Sequence, residues 1–156
     1  MHISRLKLKN WRNFKSGEIN NLPESVYVLG PNAAGKSNLL DAVRFLRDVS
    51  KHRGGGLQDA IERRGGVGKI RCLHARADTE ILIEADIVDE NNSLVWKYEL
   101  GFNIPPKGKR DPQVTKERVT SYGSDGKSST LIDRPGKAEK KDELLTGPNW
   151  LVRFEC

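Results

Sequence analysis

Residues 25–46 read Ser-Val-Tyr-Val-Leu-Gly-Pro-Asn-Ala-Ala-Gly-Lys-Ser-Asn-Leu-Leu-Asp-Ala-Val-Arg-Phe-Leu, and this stretch organises the rest of the chain. The segment from Gly30 to Ser37, which we call the phosphate loop, fits the pattern G-x-x-x-x-G-K-[ST] of phosphate-binding loops. Gly30 and Gly35 permit backbone angles that turn successive N–H groups toward an anion. Lys36 supplies a cation for the β- and γ-phosphates, and the Ser37 hydroxyl is a ligand for Mg²⁺.

The residues on either side of the phosphate loop predict the strand and the helix that such a loop requires. Residues 26–29 form an apolar run of the kind found in a buried parallel strand. After the loop, Leu39, Val43 and Leu46 recur at helical spacing, and the positive end of this helix faces the phosphates. We therefore interpret the stretch as a nucleotide-binding site, with a glycine-rich turn before an ordinary helix as the alternative. The predicted loop ligands are Gly30, Pro31, Asn32, Ala33, Ala34, Gly35, Lys36, Ser37 and Asn38.

Length and composition limit the possible classes of protein. A chain of 156 residues with 36% hydrophobic and 6% aromatic residues predicts one domain with a modest core. The 27 basic and 21 acidic residues give a net charge of +6, which favours a polyanionic partner such as a nucleotide or nucleic acid. Cys72 and Cys156 are too few for a disulfide framework or a metal cluster, so we expect a reducing cytoplasm. Neither a signal segment nor a membrane span is visible, and we expect no membrane partner.

Apolar alternation predicts that much of the remaining chain forms strands. The predicted strands comprise residues 1–9, 18–22, 79–88, 94–104, 114–122 and 129–133. A polar–aromatic turn at residues 10–14 follows the first strand, and a polar turn at residues 89–93 predicts an antiparallel hairpin. Residues 53–69 and 105–112, rich in Gly, Pro and charged residues, are predicted to be flexible loops, with one short helix at 57–64.

Residues 6–14 and 28–42 together resemble the start of RecF/SMC-type ATPases. These are ABC-class P-loop ATPases, and they include AAA-labelled ATPases of DNA repair and of phage-defence nucleases of the OLD family. The usual form has an Asn-Phe-Arg turn and Gly-Pro-Asn-Gly-Ala-Gly-Lys-Ser, so Trp11 and Ala33 are substitutions in this chain. The resemblance implies an α/β fold, the N-terminal lobe of a P-loop NTPase of the ABC-head type. Its sheet would be mixed, with a strand-rich antiparallel region after the P-loop helix.

The resemblance also implies site residues outside the phosphate loop. In the family the turn arginine approaches the bound nucleotide, which carries over to Arg12, with Asn13 beside it. Spacing alone would leave Arg12 as a solvated residue of a basic segment. The implied ligands are ATP and Mg²⁺, with Ser37 as the metal ligand. Two heads of relatives sandwich two ATP molecules, so the implied assembly of the full-length protein is a homodimer of heads.

The sequence offers no convincing residue for hydrolysis. Residues 87–90 imitate the end of a Walker B motif, but Asp86 interrupts the apolar run, and we predict that both acids lie in a solvated hairpin turn. The glycine tract at 54–58 resembles the ABC signature in the wrong place. We therefore assign no catalytic residue. Residues 1–156 are expected to be a single lobe, a fragment of a longer ATPase or a naturally short product, that binds ATP and hydrolyses it poorly or not at all.

The predicted function is ATP binding by an ATPase of DNA repair, DNA maintenance or anti-phage defence. The alternative is a nucleic-acid or partner-binding module with a vestigial phosphate loop, which the charge of +6 and the basic loop at 105–112 also fit. In that loop Lys107, Lys109 and Arg110 predict weak, sequence-independent binding to DNA phosphates. A small nucleotide kinase is disfavoured, because neither an arginine-rich lid nor an acceptor site is visible.

Overall fold

The computed structural model describes residues 1–51, 55–74, 78–103 and 111–135. Its strands are β1 (His2–Trp11), β2 (Phe14–Ile19), β3 (Ile81–Val88), β4 (Leu94–Asn103), β5 (Gln113–Tyr122) and β6 (Ser128–Arg134). Its helices are α1 (Lys36–Ser50), α2 (Leu57–Glu62) and α3 (Val67–Ile70). The strands form one six-stranded sheet in the order β2-β1-β3-β4-β5-β6, and every described pair is antiparallel.

The apolar face of the sheet packs against α1. Leu6 and Leu8 of β1 lie on this face because side chains along a strand alternate between its two faces. Phe45 of α1 is fully buried and lies with its ring centroid 5.0 Å from that of Trp11 and 5.6 Å from that of Phe102. Aromatic pairs at such distances contribute roughly 0.5–1.5 kcal/mol beyond their buried area. This aromatic group therefore fixes α1 on the sheet.

The opposite face of the sheet carries paired charges. Arg5 contacts Glu18 at 2.8 Å, Glu84 at 3.1 Å and Asp86 at 3.4 Å, and Lys7 contacts Glu84 at 3.1 Å. Burial raises the pKa of Glu84, but hydrogen bonds from Lys7 and Arg5 outweigh it and hold the pKa below its usual value. The basic residues of β1 are thus largely neutralised by their neighbours.

Most of the predicted strands are confirmed, and one is shifted. The second strand is Phe14–Ile19 and not residues 18–22, because Trp11 and Phe14 pair directly across a tight turn. Because only Arg12 and Asn13 separate the paired residues, β2 begins directly after this two-residue turn. The hairpin predicted around residues 89–93 is present between β3 and β4.

The prediction of a strand at residues 26–29, and with it a mixed sheet, is wrong for the described part of the chain. These residues lie outside every strand, and Val26, Tyr27 and Leu29 are 48%, 90% and 89% exposed. A parallel strand needs hydrogen-bonding neighbours, and none of the described strands pairs with this segment. The apolar run therefore stands unpaired beside the sheet.

Two short helices lie almost entirely within the region predicted as a flexible loop at residues 53–69. The helix predicted at 57–64 is confirmed as α2, which packs against α1, and α3 follows it. Leu57, Ile61 and Val67 are buried because they cover the end of the core. Of the second predicted loop only residues 111 and 112 are described, so residues 105–110 lie outside the described residues, as do residues 136–156.

Candidate nucleotide-binding site

The phosphate loop ends at the N-terminus of α1. Gly30, Ala33 and Gly35 have positive φ angles of 152°, 64° and 94°, and Gly35 is the N-cap of the helix. Left-handed residues alternating with ordinary ones form the concave arrangement of N–H groups that binds anions. The glycine pattern and the helix predicted after it are therefore found in the expected relation.

Lys36 begins α1 and folds over the phosphate loop. Its ammonium donates hydrogen bonds of 2.7 Å to the carbonyl oxygens of Gly30 and Pro31. The ammonium group thus lies inside the loop at the N-terminal end of α1. Its charge and the positive end of the helix dipole both favour binding of an anion there. Ser37 is exposed in the first turn of α1 beside it.

Asn13 packs directly on the helix start. A Cβ atom on Gly35 would overlap the side-chain amide of Asn13, so glycine is required there by space as well as by its φ angle. The Asn13 Oδ1 atom accepts a 2.9 Å hydrogen bond from Asn38 Nδ2. The structure therefore brings the turn between β1 and β2 together with the phosphate loop.

Arg12 is held beside the loop by hydrogen bonds. Its Nε and Nη2 atoms donate to Asp41 Oδ2 at 3.0 and 2.6 Å, and its Nη1 atom donates to the Lys69 carbonyl at 3.3 Å. Its backbone N–H donates to the Ile70 carbonyl at 2.6 Å. Arg12 is thus an ordered side chain next to α1, and its contact with a nucleotide stays a prediction.

Trp11 ties the end of β1 to α1, a role that the sequence analysis missed. The ring is fully buried, and Nε1 donates a 2.8 Å hydrogen bond to the carbonyl oxygen of Asn38. Phenylalanine, which the resemblance gives at this place, could not donate this bond, because its ring lacks the N–H group of the indole. The substitution noted in the sequence therefore adds a polar contact at the helix start.

A buried arginine, Arg64, was also missed. It follows α2, and its Nε and Nη2 atoms donate 3.0 Å hydrogen bonds to Asp41 Oδ1 and Asp48 Oδ2, while its guanidinium lies 5.1 Å above the Phe45 ring. Burial raises the pKa of Asp48, but hydrogen bonds from Lys51, Arg47 and Arg64 outweigh it and hold the pKa well below its usual range. A spacing of seven places both aspartates on one helix face, which is the only signal the sequence carried.

A polar cavity of about 490 Å³ opens beside this cluster. Its lining consists of Arg12, Asn13, Asn38, Gly68, Lys69, Arg71, Leu73 and His74. The segment after α3 is held to β1 by a hydrogen bond from the Cys72 N–H to the Asn10 carbonyl at 2.9 Å and by a bridge between Arg71 and Trp11. Basic side chains and amides adjoining the phosphate loop suit the remainder of an anionic ligand.

The acids at residues 89–90 lie at the other end of the sheet. Asp89 Oδ1 accepts hydrogen bonds of 2.8 and 2.9 Å from the backbone N–H groups of Asn91 and Ser93, which closes the hairpin turn. Val88 pairs with His2, so this turn is separated from Trp11 by the length of β1, roughly 30 Å at 3.4 Å per residue. The hairpin turn predicted at these acids is confirmed, and it lies at the end of β1 opposite Trp11.

The described residues contain no group of three His, Cys, Asp or Glu side chains arranged to hold a metal ion. None of the described helices is long and apolar enough to cross a bilayer.

The chain belongs to the family described as AAA domain, putative AbiEii toxin, Type IV TA system, which matches residues 26–142. A second family, the P-loop containing region of AAA domain, matches residues 3–48. These matches and the relatives below confirm the resemblance to RecF/SMC-like AAA P-loop ATPases.

Curated relatives carry two kinds of name. Structural maintenance of chromosomes protein 1 of Schizosaccharomyces pombe is 28% identical over 155 residues, covering 96% of this chain and 12% of that protein. The DNA replication and repair protein RecF of Clavibacter michiganensis subsp. michiganensis is 31% identical over 145 residues, covering 93% and 34%. RecF of Mesorhizobium japonicum is 42% identical over 81 residues, covering 49% and 20%. The chain thus spans about a third or less of the length of each of these relatives.

Proposed function

We propose that this chain binds Mg²⁺·ATP through residues 30–38, as the N-terminal lobe of an ATPase acting in DNA repair or DNA maintenance. The observation that carries the proposal is the placement of Lys36, whose ammonium lies within the phosphate loop at the start of α1. Positive charge, left-handed loop residues and a helix N-terminus coincide there, and each favours the same polyanion.

The chain fits Mg²⁺ as a cofactor through the hydroxyl of Ser37. Mg²⁺ keeps several waters and is bound by few protein atoms together with substrate phosphates, so it does not need a carboxylate cluster. Ser37 is exposed one residue after Lys36 and can contribute such an oxygen. When bound, the ion would neutralise charge on the β- and γ-phosphates.

The nucleoside end of ATP is proposed to lie toward Arg12 and Asn13. Both line the polar cavity, which adjoins the phosphate loop through Asn38. The guanidinium of Arg12 is held in place by Asp41, so little side-chain freedom would be lost when a ligand arrives.

A larger ATPase head is proposed from the apolar surface beside the loop. Val26, Tyr27, Leu29, Leu40 and Val43 are exposed and border a cavity of about 460 Å³. Exposed apolar patches of this kind mark interaction sites. We propose that a second lobe covers this surface, that hydrolysis requires that lobe, and that two such heads pair around ATP. The chain alone would hydrolyse ATP poorly or not at all.

The cellular process is proposed from the relatives. Their printed names refer to DNA replication, DNA repair and chromosome maintenance, while the family description refers to a toxin system. Two kinds of relative support DNA repair or maintenance, which is the process we propose, with anti-phage defence as the alternative.

Non-specific DNA binding through Lys107, Lys109 and Arg110 is a further part of the proposal. Three phosphate contacts would give a log–log salt slope of about −3.

Titration with a fluorescent ATP analogue, with and without Mg²⁺, tests the proposal. Saturable binding that Mg²⁺ strengthens and unlabelled ATP reverses is the expected result. As a control, Lys127→Ala removes an exposed lysine in the turn between β5 and β6, and this variant should bind the analogue as the wild type does. Absence of Mg²⁺-dependent binding would favour the alternative of a partner-binding module with a vestigial phosphate loop.

A further inference from the structure

We infer that Asp41 is a positioning residue of the nucleotide site, because it fixes Arg12 against the buried Arg64; this inference rests on the proposed function. Each oxygen of the Asp41 carboxylate serves a different arginine. Oδ2 accepts two hydrogen bonds from Arg12, at 2.6 and 3.0 Å, and Oδ1 accepts one from Arg64 at 3.0 Å. With both oxygens committed, the plane of the carboxylate is fixed, and the Arg12 guanidinium is oriented by it.

Arg64 is the immobile end of this arrangement. Its side chain is only 8% exposed and is held by Asp48 Oδ2 at 3.0 Å, by the Ala60 carbonyl at 2.8 Å and by the face of Phe45. Because all of these partners belong to α1 or α2, Arg64 cannot reorient without disturbing the helix pair.

Arg12 is the ligand-facing end. It lies in the tight turn between β1 and β2, has a φ angle of +50°, and lines the polar cavity next to the phosphate loop. Its side chain remains one-quarter exposed, whereas Arg64 is almost fully enclosed. The hydrogen bonds that run from Arg64 through Asp41 therefore end at Arg12. Of these two arginines, Arg12 is the one that lines the polar cavity.

Loss of the Asp41 charge has two opposing effects on nucleotide binding. The freed Arg12 side chain must be ordered by the ligand, which we expect to weaken Mg²⁺·ATP binding about three- to ten-fold. Removal of a negative charge near the phosphates favours the polyanion, and this contribution does not depend on Arg12. Measurement at about 0.15 M salt, where the Debye length is about 8 Å, reduces the second effect.

A double-mutant cycle separates positioning from structure and from charge. Calorimetry with Mg²⁺·ATP would be carried out on the wild-type chain, Asp41→Asn, Arg12→Ala and the double variant. We expect Asp41→Asn to weaken binding three- to ten-fold when Arg12 is present and not to weaken it in the Arg12→Ala background. Glu117→Gln is the control: it neutralises an enclosed carboxylate of β5 whose partners, Arg134 and Tyr98, lie on β6 and β4, so it should lower stability and leave the affinity unchanged.

Equal fold-changes in the two Arg12 backgrounds, or no change with Arg12 present, would overturn the positioning role while leaving the proposed function in place. No Mg²⁺·ATP binding by the wild-type chain would instead reject the proposed function and the inference with it. If Asp41→Asn does not fold, Arg64→Gln enters the same cycle, because it releases the other carboxylate oxygen. Its weakening of binding should likewise disappear in the Arg12→Ala background.

Discussion

Replacement of Asp48 by asparagine should destabilise the chain by about 2–3 kcal/mol near neutral pH. The change keeps the shape of the side chain and removes its charge. Arg64 supplies most of the loss, because its side chain is 8% exposed, whereas Arg47 and Lys51 are 63% and 40% exposed. Exposed ion pairs contribute roughly 0–1 kcal/mol, and a hydrogen bond to a buried charged group contributes about 1.5–3 kcal/mol.

The pH dependence of this effect follows from the direction of the Asp48 pKa shift. Burial raises the pKa, but hydrogen bonds from Lys51, Arg47 and Arg64 hold it below its usual value in the folded chain. A lowered pKa means that the stabilisation is complete above the unfolded pKa, about 3.9 for aspartate. It is then lost as the pH falls toward the folded pKa. The difference between wild type and Asp48→Asn should therefore shrink below about pH 4.

Urea unfolding followed by circular dichroism at a series of pH values measures both quantities. Glu90→Gln is the matched control: it removes the same charge from an exposed hairpin position, and it should change stability by less than about 0.5 kcal/mol. A difference for Asp48→Asn no larger than that of the control, or one that does not shrink on acidification, would refute the assigned ion-pair cluster.

Two further substitutions test the start of α1. Trp11→Phe removes the hydrogen bond to the Asn38 carbonyl and should cost about 1–2 kcal/mol in urea unfolding; an unchanged midpoint would contradict that contact. Ala33→Gly relieves a left-handed alanine with a φ angle of 64°, a strain of roughly 1–2 kcal/mol, against a backbone-entropy cost of about 0.4–1 kcal/mol. The balance predicts that Ala33→Gly stabilises the chain by roughly 0–1.5 kcal/mol in thermal unfolding. Ala34→Gly, whose backbone is not left-handed, should be destabilising, and the reverse order would refute the loop conformation.

The phosphate loop and the hairpins could be predicted because their signals are local. Glycine and lysine at fixed spacing define the loop, and alternation defines β3 and β4 without reference to any distant partner. The turn at residues 89–93 was also predictable, because a run of polar residues directly follows an alternating strand.

The unpaired segment and the arginine cluster could not be predicted in the same way. The apolar pattern of residues 26–29 is typical of a buried strand. A strand forms only where a neighbouring strand supplies hydrogen bonds, and the described sheet does not pair with this segment and leaves most of it exposed. A spacing of seven is compatible with Asp41 and Asp48 on one helix face, but the arginine that joins them lies 23 and 16 residues away from them in the chain. Such long-range contacts depend on how the helices pack, so no regular residue spacing in the sequence indicates them.

The central claim is that the phosphate loop binds a nucleotide, and calorimetry with Mg²⁺·ATP on wild type and Lys36→Ala tests it most directly. The two hydrogen bonds that Lys36 donates to the loop carbonyls are exposed to solvent, so its removal should change the unfolding midpoint little. The account predicts saturable binding by the wild type and by Lys127→Ala, and at least about a hundredfold weaker binding by Lys36→Ala. Equal affinities of wild type and Lys36→Ala for Mg²⁺·ATP would contradict it.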